Sequence, residues 1–271
     1  MLIHRLMLLG VITLRCSISY AQCDYSPWIA VWPEKTSVIQ PRQNFLFMVS
    51  SYSLSRKELP QFGYGTHVYL WSKHDSVPLR VKERPYNPIE SGLQLLMQPA
   101  RPLLPDSVYE LRASNGQEDK FYIFQNGFFG PQKRKATVYR WRVAATADTV
   151  PPRWTNTPTV LRREYSKNSE GIDNYVAFSC PLQDASLYLV RVAIQSARYS
   201  KPVISYLIPW QKQLGVGWFT CGGNFLFGPN EPCTIAFEAL DAAGNRSSAS
   251  GWQLPFRGPA QPVAAPGAGP P

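Results

Sequence analysis

From Asn44 onward, apolar residues recur with the two-residue period of β-strands, in which successive side chains point to opposite faces. Phe45, Phe47 and Val49 share one face, and Leu46 and Met48 the other. Both faces are apolar, as expected of a central strand. Thr66–Trp71 follows, with Val68 and Leu70 on one face, then the short partner Pro78–Val81 and the run Leu93–Met97. In Ser107–Arg112, Val108, Glu110 and Arg112 alternate with Tyr109 and Leu111, and Lys120–Phe124 predicts another strand. Ala136–Ala145 is half-buried by pattern: Val138, Arg140 and Arg142 face one way, Tyr139, Trp141 and Val143 the other. Trp71, Trp141 and Phe237 read as core residues from their strand positions.

Alternation stops at 148–159, where Pro151 and Pro152 fix backbone angles and remove donors. It restarts in Val160–Arg162, Asn174–Cys180, Ser186–Gln195, Ile204–Ile208, Val216–Thr220, Thr234–Leu240 and Gly251–Phe256. Seven short strands in this half fit a β-sandwich. Asp241–Asn245 reads as a turn, with Gly244 and Asn245 supplying positive φ. No stretch sustains a period of 3.6, and 25 prolines oppose a mainly helical fold. The expectation is an all-β chain of two sandwiches, 22–147 and 159–257, joined by a Pro-rich linker at 148–158. The sandwiches should sit end to end, with Trp154 either packed across the junction or buried in the second one. Residues 258–271 (GPAQPVAAPGAGPP) are uncharged and low in bulky hydrophobes, which predicts a disordered Pro/Gly/Ala tail.

His4 and Arg5 precede the apolar run Leu6–Leu14, and Ser19-Tyr20-Ala21 places small residues where a signal peptidase reads, so 1–21 reads as a signal peptide. No later segment is apolar for long enough to span a bilayer as a helix. Export puts the protein in the periplasm, at the outer membrane or outside the cell. Loss of Arg5 and Arg15 lowers the formal charge from +10 to +8. Cys23, Cys180, Cys221 and Cys233 remain, an even number that suggests disulfides in an oxidising compartment. Cys221–Cys233 would close the loop GGNFLFGPNEP, whereas Cys180–Cys233 would bridge the sandwich core, and Cys23 pairs with Cys180 or stays free.

Catalytic equipment is sparse. The mature chain has two histidines, His67 and His74, with no Cys-x-x-Cys, so no metal site is expected. There is no GxSxG elbow, no GxGxxG and no phosphate loop. The expectation is a chain that is not an enzyme and holds no cofactor; dispersed carboxylates are the one hydrolytic arrangement left open. Binding residues are better represented. Lys133, Arg134 and Lys135, with Arg140, Arg142 and Arg153, suggest a positive stripe near the linker. Phe128 and Phe129, Trp210, Phe225 and Phe227 lie in turn-rich segments, where aromatics either make interfaces or cap the end of a sandwich.

The second half resembles the immunoglobulin-like and fibronectin-type modules of bacterial surface and secreted proteins, on DTVPPRW (148–154) and AFEALDAAGNRS (236–247). The first half is similar to the larger bacterial immunoglobulin-like form, on VWPEKTSVIQPRQN (31–44) and LLMQPARPLLPDSVYELR (95–112). It departs from that form in LSRKELPQFGYG (54–65), which reads as an insertion. The resemblance implies tandem sandwiches with structural, adhesive or protein-interaction roles in the cell envelope and carries over no catalytic residue. Expected partners are a protein or envelope component, or an acidic glycan or lipid surface; nucleic acid is not expected. The alternative is a carbohydrate- or small-ligand-binding protein that uses its loop aromatics.

Overall fold

Strands form where an apolar row on one segment meets an apolar row on the next, and their edges then decide the order. A computed structural model of the chain describes residues 29–34, 37–50, 59–89, 92–116, 138–168, 171–220, 222–247 and 253–261. The expected signal peptide, the expected strand at 120–124 and most of the tail lie outside the described residues, as do Phe128, Phe129, Lys133, Arg134, Lys135, Cys23 and Cys221.

The first half contains β1 (Ala30–Trp32), β2 (Val38–Ile39), β3 (Phe45–Ser50), β4 (His67–Trp71), β5 (Ser76–Glu83), β6 (Gly92–Pro99), β7 (Val108–Ser114) and β8 (Arg140–Val143). They form one sheet in the order β1-β3-β6-β5-β4-β7-β8-β2. Strand β5 turns the corner: Ser76–Pro78 pairs with β4 and Leu79–Glu83 with β6, with a register irregularity between Val81 and Glu83. The sheet folds over on itself, so Phe45 of β3 meets Trp141 of β8 with ring centroids 5.1 Å apart. Phe47, Leu70, Leu95, Tyr109 and Leu111 fill the same core.

The second half contains β9 (Arg153–Trp154), β10 (Val160–Asn168), β11 (Gly171–Ser179), β12 (Leu182–Gln183), β13 (Tyr188–Ser196), β14 (Val203–Leu207), β15 (Gln213–Phe219), β16 (Gly222–Gly223), β17 (Pro232–Asp241) and β18 (Gln253–Arg257). The sheets β10-β11-β15-β16 and β14-β13-β17-β18 enclose a second core, in which Phe178 and Phe237 touch edge to face at 5.3 Å. The short pair β12-β9 sits beside them. The fold is all-β: apart from a 3-10 turn at Leu59–Gln61, the described regular elements are strands.

The two halves share a third apolar cluster. Trp32, Leu46 and Leu96 from the first half are buried against Leu189, Tyr206, Leu240 and Ala242 from the second, with Met48 packed alongside. Full burial of each leucine contributes about 1.5–3 kcal/mol. Polar contacts border this seam. The Gln94 side-chain amide donates to the Tyr206 carbonyl at 2.7 Å and accepts from the Tyr206 amide at 2.7 Å, as a neighbouring strand would. Tyr206 donates its hydroxyl to Glu83, and Arg191 donates to the other Glu83 oxygen at 3.1 Å. Burial, and then the Glu83 carboxylate, push the Tyr206 hydroxyl well above its ordinary range. Asn87 reaches Ser205 and the Asn224 carbonyl, and the Asn44 amide donates to the Ala242 carbonyl at 2.8 Å.

The seam replaces the expected end-to-end elbow with packing side against side. Trp154 takes the second of its two expected places. Its ring lies 6.3 Å from Phe237 and its indole N–H donates to Ser247 at 3.1 Å, so it belongs to the second core. The linker itself contributes β9, whose residues pair with Leu182 and Gln183.

Neither expected bridge to Cys233 is present, because Cys180 and Cys233 are buried free thiols. Burial first of all pushes the Cys180 thiol up to about 11 and the Cys233 thiol up to about 12.

Part of the expected disordered tail is also ordered. Gly258 donates to the Glu231 carbonyl at 2.8 Å, the Asn230 amide donates to the Pro259 carbonyl, and Gln261 donates to the Phe227 carbonyl at 3.1 Å. In the Asp241–Asn245 turn only Gly244 takes positive φ, at 100°, while Asn245 donates its amide and side chain to Asp241.

Candidate interaction surface

Of the loop aromatics, Phe225 and Phe227 take the second of their two expected places and face into the second core. Both are buried, with ring centroids 4.7 Å apart, and Phe227 meets Phe256 edge to face. Leu226 between them is exposed, so the loop keeps a two-residue alternation and closes one end of the second core. Glu231 clamps the loop: its carboxylate accepts from the Gly228 amide at 2.6 Å and from Arg198 at 2.8 Å, and Arg198 also donates to the Leu226 carbonyl.

Burial raises the Glu231 carboxyl, but the Gly228 N–H and Arg198 outweigh it and hold the group below its ordinary 4.5. A depressed acid contributes stability above its unfolded value and loses it as pH falls through the folded one. Urea midpoints from neutral pH to about pH 3 should therefore fall for the native protein, and the gap to Glu231→Gln should narrow with acid. A gap that stays constant over that range would show that the Glu231 charge does not hold the loop.

Arg153 and Trp210 are exposed. Trp210 is 76% exposed at a two-residue turn whose central residues Gln211 and Lys212 hold left-handed φ values of 48° and 59°. The Cys180 amide, donating to the Lys212 carbonyl at 2.7 Å, fastens that turn. Arg153 lines a hollow of about 730 Å³ together with Asp148 and Asp184. The described part of the junction is therefore mixed in charge. Burial, and to a smaller extent Asp148, raise the Asp184 carboxyl, while the Ser186 hydroxyl holds Asp148 low.

A surface missed in the sequence lies on the outer face of β4, β7 and β8. Trp71, expected in the core, is 38% exposed there, because Val68 and Leu70 turn inward and leave His67, Tyr69 and Trp71 on the opposite face. Arg112 stacks over the Trp71 ring, 3.8 Å from its centroid. Such a cation–π contact contributes about 0.5–1 kcal/mol at an exposed site. Glu110 stands beside them, its two oxygens accepting from Arg112 at 3.1 Å and Arg140 at 3.0 Å. Arg142 pairs with Asp106 at 3.0 Å. With one carboxylate serving both Arg112 and Arg140, the face is cationic. Val38, Val108 and Val138 are each 42–59% exposed; Val38 and Val108 are register partners of Arg142, and Val138 lies two residues before β8. The sheet thus presents an aromatic ring and arginines, residue types that anchor protein interfaces, with exposed valines beside them.

No family model matches the sequence, and no curated protein matches it. Among solved structures, the chain is similar to chicken CNTN1 FN1-FN3 domains at 13% identity and a TM-score of 0.27, covering 89% of this chain and 69% of that one. It is also similar to the type I pullulanase of Bacillus subtilis str. 168 complexed with maltose, at 11% identity and a TM-score of 0.20, covering 81% of this chain. The chain spans 23% of the pullulanase's length.

Proposed function

We propose that the chain is a non-catalytic, exported interaction module of the cell envelope, two immunoglobulin- or fibronectin-like sandwiches docked into a single body. The observation that carries this reading is the Trp71–Arg112–Glu110–Arg140 face, where hydrophobic and cationic groups are held on a rigid sheet and left to solvent. Its partner is a protein or envelope component that brings apolar groups and negative charge. Burial of Phe225 and Phe227 leaves the carbohydrate-binding alternative with Trp210 among its described loop aromatics.

Cross-linking in intact cells, followed by detergent extraction and mass spectrometry of the tagged full chain, tests the proposal. A specific envelope partner should be retained and should be lost with Trp71→Ala and Arg112→Ser. A chain recovered in the cytoplasmic fraction, or retention that ignores both substitutions, would overturn it.

A further inference from the structure

Strand β10 has nine residues and no proline, and among the described residues it pairs on one side only, with β11. The other described edge strands are closed to a newcomer. β1, β2 and β16 are two or three residues long. The outer side of β14 is taken by the Tyr86 carbonyl at Ile204 and the Gln94 amide at Tyr206. β18 carries Pro255, which has no N–H to offer. Between the edges of β10 and β18 lies a groove of about 700 Å³, with Phe256 and Cys233 in its apolar floor and Arg163 and Arg257 among its lining residues. Arg163 spans it, donating to the Arg257 carbonyl at 3.0 Å.

We propose that this edge accepts an acidic extended segment of a partner protein as an added β-strand, with side chains from one of its faces seated over Phe256. The inference rests on the reading of the chain as an interaction module and names a second contact for it. Charge selects the occupant. Arg162, Arg163 and Lys167 lie on β10 against the single carboxylate of Glu164. A second copy pairing antiparallel would bring another strand of the same net positive charge alongside this one, which is unfavourable. The segment PVAAPGAGPP (262–271) has no charged side chain to offer. A partner strand of glutamates and apolar residues satisfies the open backbone edge, the apolar floor and the arginines together.

Fluorescence anisotropy with a labelled, end-capped peptide of alternating glutamate and valine tests this on the full chain. Saturable binding should weaken as salt rises and fall by about tenfold or more in Arg162→Glu with Arg163→Glu. The same peptide N-methylated at alternate residues, and its lysine-for-glutamate version, should not bind. Absence of binding by the glutamate peptide, or equal binding of the N-methylated peptide, would overturn strand addition. So would a dimer in sedimentation that the double substitution dissolves. If that substitution disturbs folding, the N-methylated comparison on the native chain still decides. Failure here leaves the cross-linking test unaffected, since that test reads the Trp71 face.

Discussion

Leu96→Ala should destabilise the protein by about 2–5 kcal/mol, toward the upper part of that range. Leu96 is fully buried, yet it points away from the first core, which its neighbours Leu95 and Met97 enter. Its side chain fills the seam with Leu46, Leu189, Tyr206 and Leu240. A cavity there can close only if the halves slide together. The Gln94–Tyr206 pair, the Glu83–Tyr206–Arg191 contacts and the Asn44–Ala242 bond resist that movement. Leu104→Ala, at a leucine 48% exposed, serves as the control and should stay within about 0.5 kcal/mol. Urea unfolding followed by tryptophan fluorescence measures both. A Leu96→Ala cost no larger than the control's would show that the seam contributes little.

Phe227→Ala should cost about 3–5 kcal/mol, as removal of a buried aromatic does. Phe227 is 2% exposed and contacts Phe225 and Phe256, and its carbonyl accepts from Asn174 at 2.8 Å and from Gln261. The backbone contacts survive the substitution, so the loop should stay in place around a cavity. Leu226→Ala, at the exposed residue next door, should change stability little. The pair of variants separates core from surface: if Leu226→Ala proved the costlier of the two in urea unfolding, the loop would be inside out relative to the structure.

The strand pattern was legible because burial on one side leaves a two-residue signature. Tyr139, Trp141 and Val143 are buried while Arg140 and Arg142 are exposed, as their alternation predicts. The seam was visible too, but ambiguous. Phe45 and Phe47 enter the first core and Leu46 enters the seam, so two apolar rows on one strand meant a second layer of packing. Sequence does not say whether that layer comes from the same sheet stack or from the other half of the chain. Phe225-Leu226-Phe227 carried alternation inside a Gly- and Pro-rich loop, where turn composition hid it. Trp71 shows the converse: its size suggested the core, while the alternation with Val68 and Leu70 put it outside. Strand β10 extends well beyond the expected Val160–Arg162, because a polar edge strand shows no apolar period and is recognised through its pairing with β11.

The seam, not the linker, fixes how the two halves sit. Pro151 and Pro152 stiffen the connection, but the buried cluster and its polar border join the halves elsewhere. Small-angle X-ray scattering of the native chain and of Pro151→Gly with Pro152→Gly tests this most directly. Superimposable profiles and the same distance distribution are expected for both. A broadened distribution in the glycine variant would mean that the prolines set the geometry and that the seam does not hold in solution.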